Sequence, residues 1–188
     1  FGWCWIHDTV PEVHTHHRGL PLVFYRQQWG IDRDDVSFSS YWDQTAAQPA
    51  NDKFLVSYWT HPDDNDPDHS TALLLAMNMH YRNEETTKTR ITIDPARLGL
   101  SEDFTVYNME SMPTFSKREA VLRKLDRESQ YGARPVDGPL AQNQLDRDLY
   151  FWKNQEPYDL EELTVVSKGQ TTFTVEIPAR NFVHLIVR

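Results

Sequence analysis

The densest collection of side chains able to do chemistry lies at the start of the chain, where Trp3, Trp5, His7, Asp8, Glu12, His14, His16 and His17 fall close together. His14 and His16, at spacing two on an extended segment, can point both imidazoles to one side. Asp8 or Glu12 could then complete a mixed nitrogen and oxygen metal set. The competing reading is an exposed loop whose histidines are ordinary polar residues, and no known metal signature matches the spacing. His7 and Asp8 stand apart because they end the run Phe1, Gly2, Trp3, Cys4, Trp5, Ile6, nearly all apolar, as in a strand buried on both faces. In barrels of parallel strands the residues at the carboxyl ends of strands line the active site. If residues 1–6 are such a strand, Trp5, His7 and Asp8 face a ligand.

Other candidates are weaker. Asp64, Asp66 and Asp68 alternate like the start of a calcium loop, but His69 stands where that loop needs glycine and Leu75 where it needs a bidentate acid. An acidic hairpin loop is the expectation. Tyr41, Trp42, Tyr58, Trp59, Tyr150, Phe151 and Trp152 could form a sugar-stacking platform, although core packing is the commoner fate of such rings. Cys4, the only cysteine, sits in an apolar run and reads as buried rather than reactive; it excludes an internal disulfide and a multi-cysteine zinc cage. No nucleophile elbow, phosphate loop, dinucleotide fingerprint or zinc-helix motif is present. Accordingly no catalytic residue, no metal ligand and no cofactor is assigned to this chain.

The elements that must position these residues are mostly strands. Residues 20–29 predict a short helix, with Pro21 in its first turn and Gly30 just past its end. Residues 44–52 are small and polar and read as a linker. Beyond them, residues 54–59 predict a strand, and residues 71–81 a long core strand with Leu73, Leu75, Met77, Met79 and Tyr81 on one face. Residues 88–93 alternate and are expected to pair with that strand as a hairpin. Asp94, Pro95 and Gly99 hold the positions of N-cap, first helical residue and left-handed terminator, so one helical turn follows. Residues 104–109 form another strand. An insertion at about 110–162 then interrupts the pattern, with one amphipathic helix from the capping pair Ser116 and Glu119 to near Ser129. Residues 163–166 precede a turn at Lys168 and Gly169, and strands at 171–177, with Phe173, Val175 and Ile177 inward, and at 182–187 close the chain.

This succession predicts a mainly β fold, an antiparallel β-sandwich with one amphipathic helix in an insertion. The expected division is a strand-loop-helix unit at 1–43, a linker at 44–52 and the sandwich at 53–188. With 28 acidic against 19 basic residues and a net charge of −9, the summed field repels a phosphate backbone, so nucleic acid is not an expected partner. No apolar run is long enough to span a membrane as a helix. The chain opens at Phe1 without Met or an apolar signal core, and residues 1–6 read as strand interior, which predicts further chain upstream.

The order of motifs adds a resemblance. Trp29-Gly30-Ile31, Ser40-Tyr41-Trp42-Asp43, the strands at 54–59 and 71–79, Ile91-Thr92-Ile93-Asp94 through Leu98-Gly99-Leu100, and the closing strand at 183–187 together resemble the carboxyl end of glycoside-hydrolase-like proteins of the family 123 type. Ser40 stands where that pattern has glycine, and residues 110–171 are longer than the pattern. The resemblance implies that residues 1–43 are the tail of a (β/α)8 barrel and that the sandwich braces it, contributing at most an edge of the carbohydrate site. It implies carbohydrate and an upstream catalytic domain as partners, a secreted or periplasmic setting, and catalytic acids upstream of Phe1. The alternative is a free-standing carbohydrate-binding or adhesion module without hydrolase activity.

Overall fold

The computed structural model describes residues 25–81, 86–111 and 159–188. They form a mainly β structure of two antiparallel sheets. The chain enters through helical residues 25–29, here α1. It continues through β1 (Ser37–Ser39), β2 (Ala47–Pro49), β3 (Phe54–Asp63), β4 (Asp66–Asn78), β5 (Lys88–Ile93), the single-turn helix α2 (Pro95–Leu98) and β6 (Thr105–Asn108). After the undescribed part of the insertion come β7 (Thr164–Lys168), β8 (Thr172–Glu176) and β9 (Phe182–Val187). The larger sheet has the order β1-β3-β4-β9-β6-β7, and the smaller one the order β2-β5-β8.

The two sheets enclose one apolar core, which accounts for the alternation of the smaller sheet. β5 and β8 bury every second residue, Ile91 and Ile93 from one and Phe173 and Val175 from the other, and turn Arg90, Thr92, Thr172 and Thr174 outward. Facing them from the larger sheet are Phe54, Val56, Leu74, Val106, Leu185 and Val187. Sequence period and burial agree here because the outer face of the small sheet meets water.

The larger sheet is different, because its central strands are buried on both faces. In β4, Ala72, Leu74 and Ala76 face the common core, while Leu73, Leu75 and Met77 belong to a second apolar cluster with Trp59, Ile186, Met109, Leu163, Tyr25 and Trp29. This is why residues 72–77 are a nearly continuous hydrophobic run. The expected one-faced strand is thus two-faced, and it ends at Asn78; Met79 and Tyr81 lie beyond it, 37% and 76% exposed.

The expected hairpin between residues 71–81 and 88–93 is corrected by the topology. β4 already has both edges occupied, by β3 and β9, whereas β5 crosses to the smaller sheet and pairs with β2 and β8. The hairpin partner of β4 is β3, through the two-residue turn Asp64-Asn65, so of the acidic triplet Asp64 lies in the hairpin loop while Asp66 and Asp68 stand at the start of β4.

Residues 44–52, expected as a linker, instead carry β2. Ala46 and Ala47 are buried because small side chains fit between the sheets, and β1, on the other side of this segment, pairs with β3. The described residues therefore show no break there. The Asp94 turn matches its expectation in every detail: Asp94 accepts from the Arg97 amide, Pro95 opens the turn and Gly99 sits at φ 69. Residues 1–24, including the expected strand at 1–6, and the amphipathic helix expected at 116–129 lie outside the described residues.

Candidate functional site

Trp5, His7 and Asp8, the residues expected to face a ligand, lie outside the described residues, as do Cys4, His14, His16, His17, Tyr150, Phe151 and Trp152. The remaining platform aromatics are dispersed. Trp59 is buried beneath the outer cluster, Tyr58 packs into the common core, Tyr41 is half-buried, and only Trp42 is exposed, at 57%.

What the described structure brings together is a junction where the end of α1 meets the larger sheet, around an open cleft of about 550 Å3. The helix stops because Gly30 takes φ 109, with its amide donating to the Arg26 and Gln27 carbonyls. A side chain there would also collide, since a Cβ would lie 2.6 Å from Arg33 Cδ and 3.2 Å from His61 Nε2. Stopping at this point presents the Trp29 carbonyl to the sheet, and His61 Nε2 lies 2.8 Å from it. His61 Nδ1 lies 2.6 Å from the Pro62 carbonyl. Both ring nitrogens thus lie within hydrogen-bond distance of backbone carbonyls, which suits a clamp on the chain more than contact with a substrate. The Trp29 ring lies 4.4 Å from the His61 ring, and its Nε1 donates across 3.4 Å to the Thr71 hydroxyl, which donates in turn to the Val187 carbonyl.

Charged groups complete the junction. A register shift between Pro62 and Asp63 breaks the alternation of β3, and such bulges re-aim side chains. The Asp63 carboxylate, 8% exposed, is gripped by Arg188 through Nη2 at 2.8 Å and Nε at 2.5 Å. That two-pronged geometry neutralises the carboxylate and ties the hairpin to the end of β9. On the outer side Arg33 bonds both Asp35 and Asp64, at 2.8 and 2.7 Å. The Arg33 bond holds the Asp35 carboxyl below its ordinary range, and the Asp35 and Asp64 bonds hold the guanidinium further above its own. Among the described residues no group of three His, Cys, Asp or Glu side chains could hold a metal ion. The junction is built to fasten.

Sequence reasoning missed His61, Asp63, Thr71 and Arg188. No spacing links them, since Asp63 and Arg188 stand 125 residues apart. The one local signal is Pro62, whose missing N–H favours a strand edge or bulge.

A second feature is the turn between β1 and β2. Asp43 and Gln44 amides donate to the Ser40 carbonyl, and the Tyr41 amide donates to Ser57 Oγ at 3.1 Å. The Gln44 side chain fixes the far end: Nε2 donates to the Ala47 and Val56 carbonyls, and Oε1 accepts from the Ala47 amide. Buried polar bonds therefore hold rigid a turn that presents Trp42 to solvent. Beside it runs a cleft of about 430 Å3, lined also by Tyr58, Asp43 and Arg97. Comparison with known proteins adds no identity to this geometry: no family model, no curated protein and no solved structure matches the chain.

Proposed function

We propose that this chain is the accessory β-sandwich of a glycoside-hydrolase-like protein, bracing a catalytic barrel and contributing at most an edge of its carbohydrate site. One observation carries the reading. The outer face of the larger sheet is apolar, and the segment that leads into the sheets lies on it, fastened at Trp29 and Arg33. A sheet face buried under its own N-terminal segment suits a domain joined rigidly to what precedes it.

The engaged nitrogens of His61 and the paired carboxylate of Asp63 favour support over chemistry. By resemblance to the family 123 type, the parent reaction is hydrolysis of a glycosidic bond by paired acid groups or with help from a substrate N-acetyl group. Hydrolysis of nitrophenyl glycosides, N-acetylhexosaminides included, tests this. The 188-residue chain is expected to release no nitrophenol, and the same chain extended through the coding sequence upstream of Phe1 is expected to release it. Turnover by the 188-residue chain itself, or none by the extended one, contradicts the proposal.

A further inference from the structure

We infer that the cleft beside Trp42 is a binding subsite for a neutral saccharide. An exposed indole gains little from water, and a fixed one is a ready stacking surface: the ring offers an apolar face to the C–H face of a pyranose. Trp42 is 57% exposed, and its orientation is fixed by an edge-on contact with Tyr41, centroids 4.8 Å apart at 70°. The backbone and Gln44 bonds that hold the turn mean that little ordering is needed when a ligand arrives.

The polar groups around the ring suit hydroxyls. Arg97 projects from α2 and is steadied by Asp94 at 3.3 Å and by the Thr45 hydroxyl, so its guanidinium is oriented before any ligand binds. Asp43, exposed and next to Trp42 in the chain, lines the same cleft and supplies an acceptor. A donor fork and a carboxylate flanking an aromatic face are what vicinal hydroxyls require. Ser40 also lines the cleft; it is 6% exposed, and its hydroxyl has no hydrogen-bond partner. Arg97 is already matched by Asp94, so Asp43 leaves the cleft with no surplus positive charge. An anionic sugar is disfavoured there.

The inference shares with the proposed function its carbohydrate setting but does not depend on the bracing role, because it concerns binding by this chain alone. The test is titration of the 188-residue chain with cellohexaose, xylohexaose, mannohexaose, N-acetylchitohexaose and oligogalacturonate, followed by Trp fluorescence and calorimetry. At least one neutral oligosaccharide is expected to saturate with micromolar to millimolar half-saturation. Trp42→Ala should weaken it about tenfold or more, as loss of a stacked ring does, and Asp43→Asn several-fold. Circular dichroism of each variant checks that it keeps the parent's fold, so that a lost affinity is read from folded protein. No saturation by any neutral oligosaccharide, unchanged affinity in Trp42→Ala, or a preference for oligogalacturonate overturns it. Hydrolysis by the extended chain, with no sugar binding here, would leave the bracing role standing and this inference refuted.

Discussion

Truncating Trp29 tests how firmly the entering helix is fastened to the outer face of the larger sheet. The ring is 6% exposed and belongs to the second apolar cluster, with His61 against it at 4.4 Å and Thr71 accepting from its Nε1. Replacing a buried aromatic by alanine costs about 3–5 kcal/mol, and the lower end applies because Trp29 also lines an open cleft. For a chain of 188 residues, about 3 kcal/mol lowers the melting temperature by roughly 6–12 °C. Trp29→Phe keeps most of the buried area and loses only a 3.4 Å hydrogen bond, so its cost is below about 1 kcal/mol. Thermal melting by circular dichroism separates the cases. Dye binding to exposed apolar surface should rise in Trp29→Ala and not in Trp29→Phe. An alanine variant that melts within about 2 °C of the parent, where roughly 6 °C is the least expected, would refute the fastening argument.

Other consequences are measurable by the same melts. Leu74→Ala, in the common core at 0% exposure, is expected to cost about 2–5 kcal/mol by urea unfolding. Gly99→Ala should destabilise by more than about 1 kcal/mol, since φ 69 disfavours a side chain and its Cβ would meet Ser70 Oγ at 2.8 Å; a neutral result would contradict the left-handed terminator after α2. Asp63→Asn should cost about 1–3 kcal/mol, because it leaves the Arg188 fork without its charged partner while Arg188 keeps some water. Asp35 has a carboxyl pKa depressed in the folded state, first by the bond from Arg33. Its contribution is therefore present at neutral pH and lost as the pH falls through that lowered value, so parent and Asp35→Asn melts should converge in acid. A gap that widens on acidification would contradict the pairing.

Legibility in the sequence followed how local each cause was. The turn from Asp94 to Gly99 was readable because cap, proline and terminator lie within six adjacent positions and all agree. β5 and β8 were readable because water on one face imposes alternation. β4 was readable as a core strand but not as a two-faced one, since burial on both faces erases the period that would mark an inward side, and the choice of β3 and β9 over β5 as partners is a long-range matter that no local pattern encodes. Ala46 and Ala47 looked like linker residues because small size suits both a flexible segment and a tight slot between sheets. At the junction, Arg188 and Asp63 meet only through the fold. Trp42 was singled out by residue type, but its exposure, which separates it from Trp59, depends on the turn that Gln44 holds.

The proposed role of the fastened outer face is to brace a barrel that precedes it in the chain. Determining the coding sequence immediately upstream of Phe1 tests it most directly. About 300 residues of alternating strands and helices, the pattern of a (β/α)8 barrel, are expected there. A start codon or a signal peptide adjoining Phe1 would contradict it.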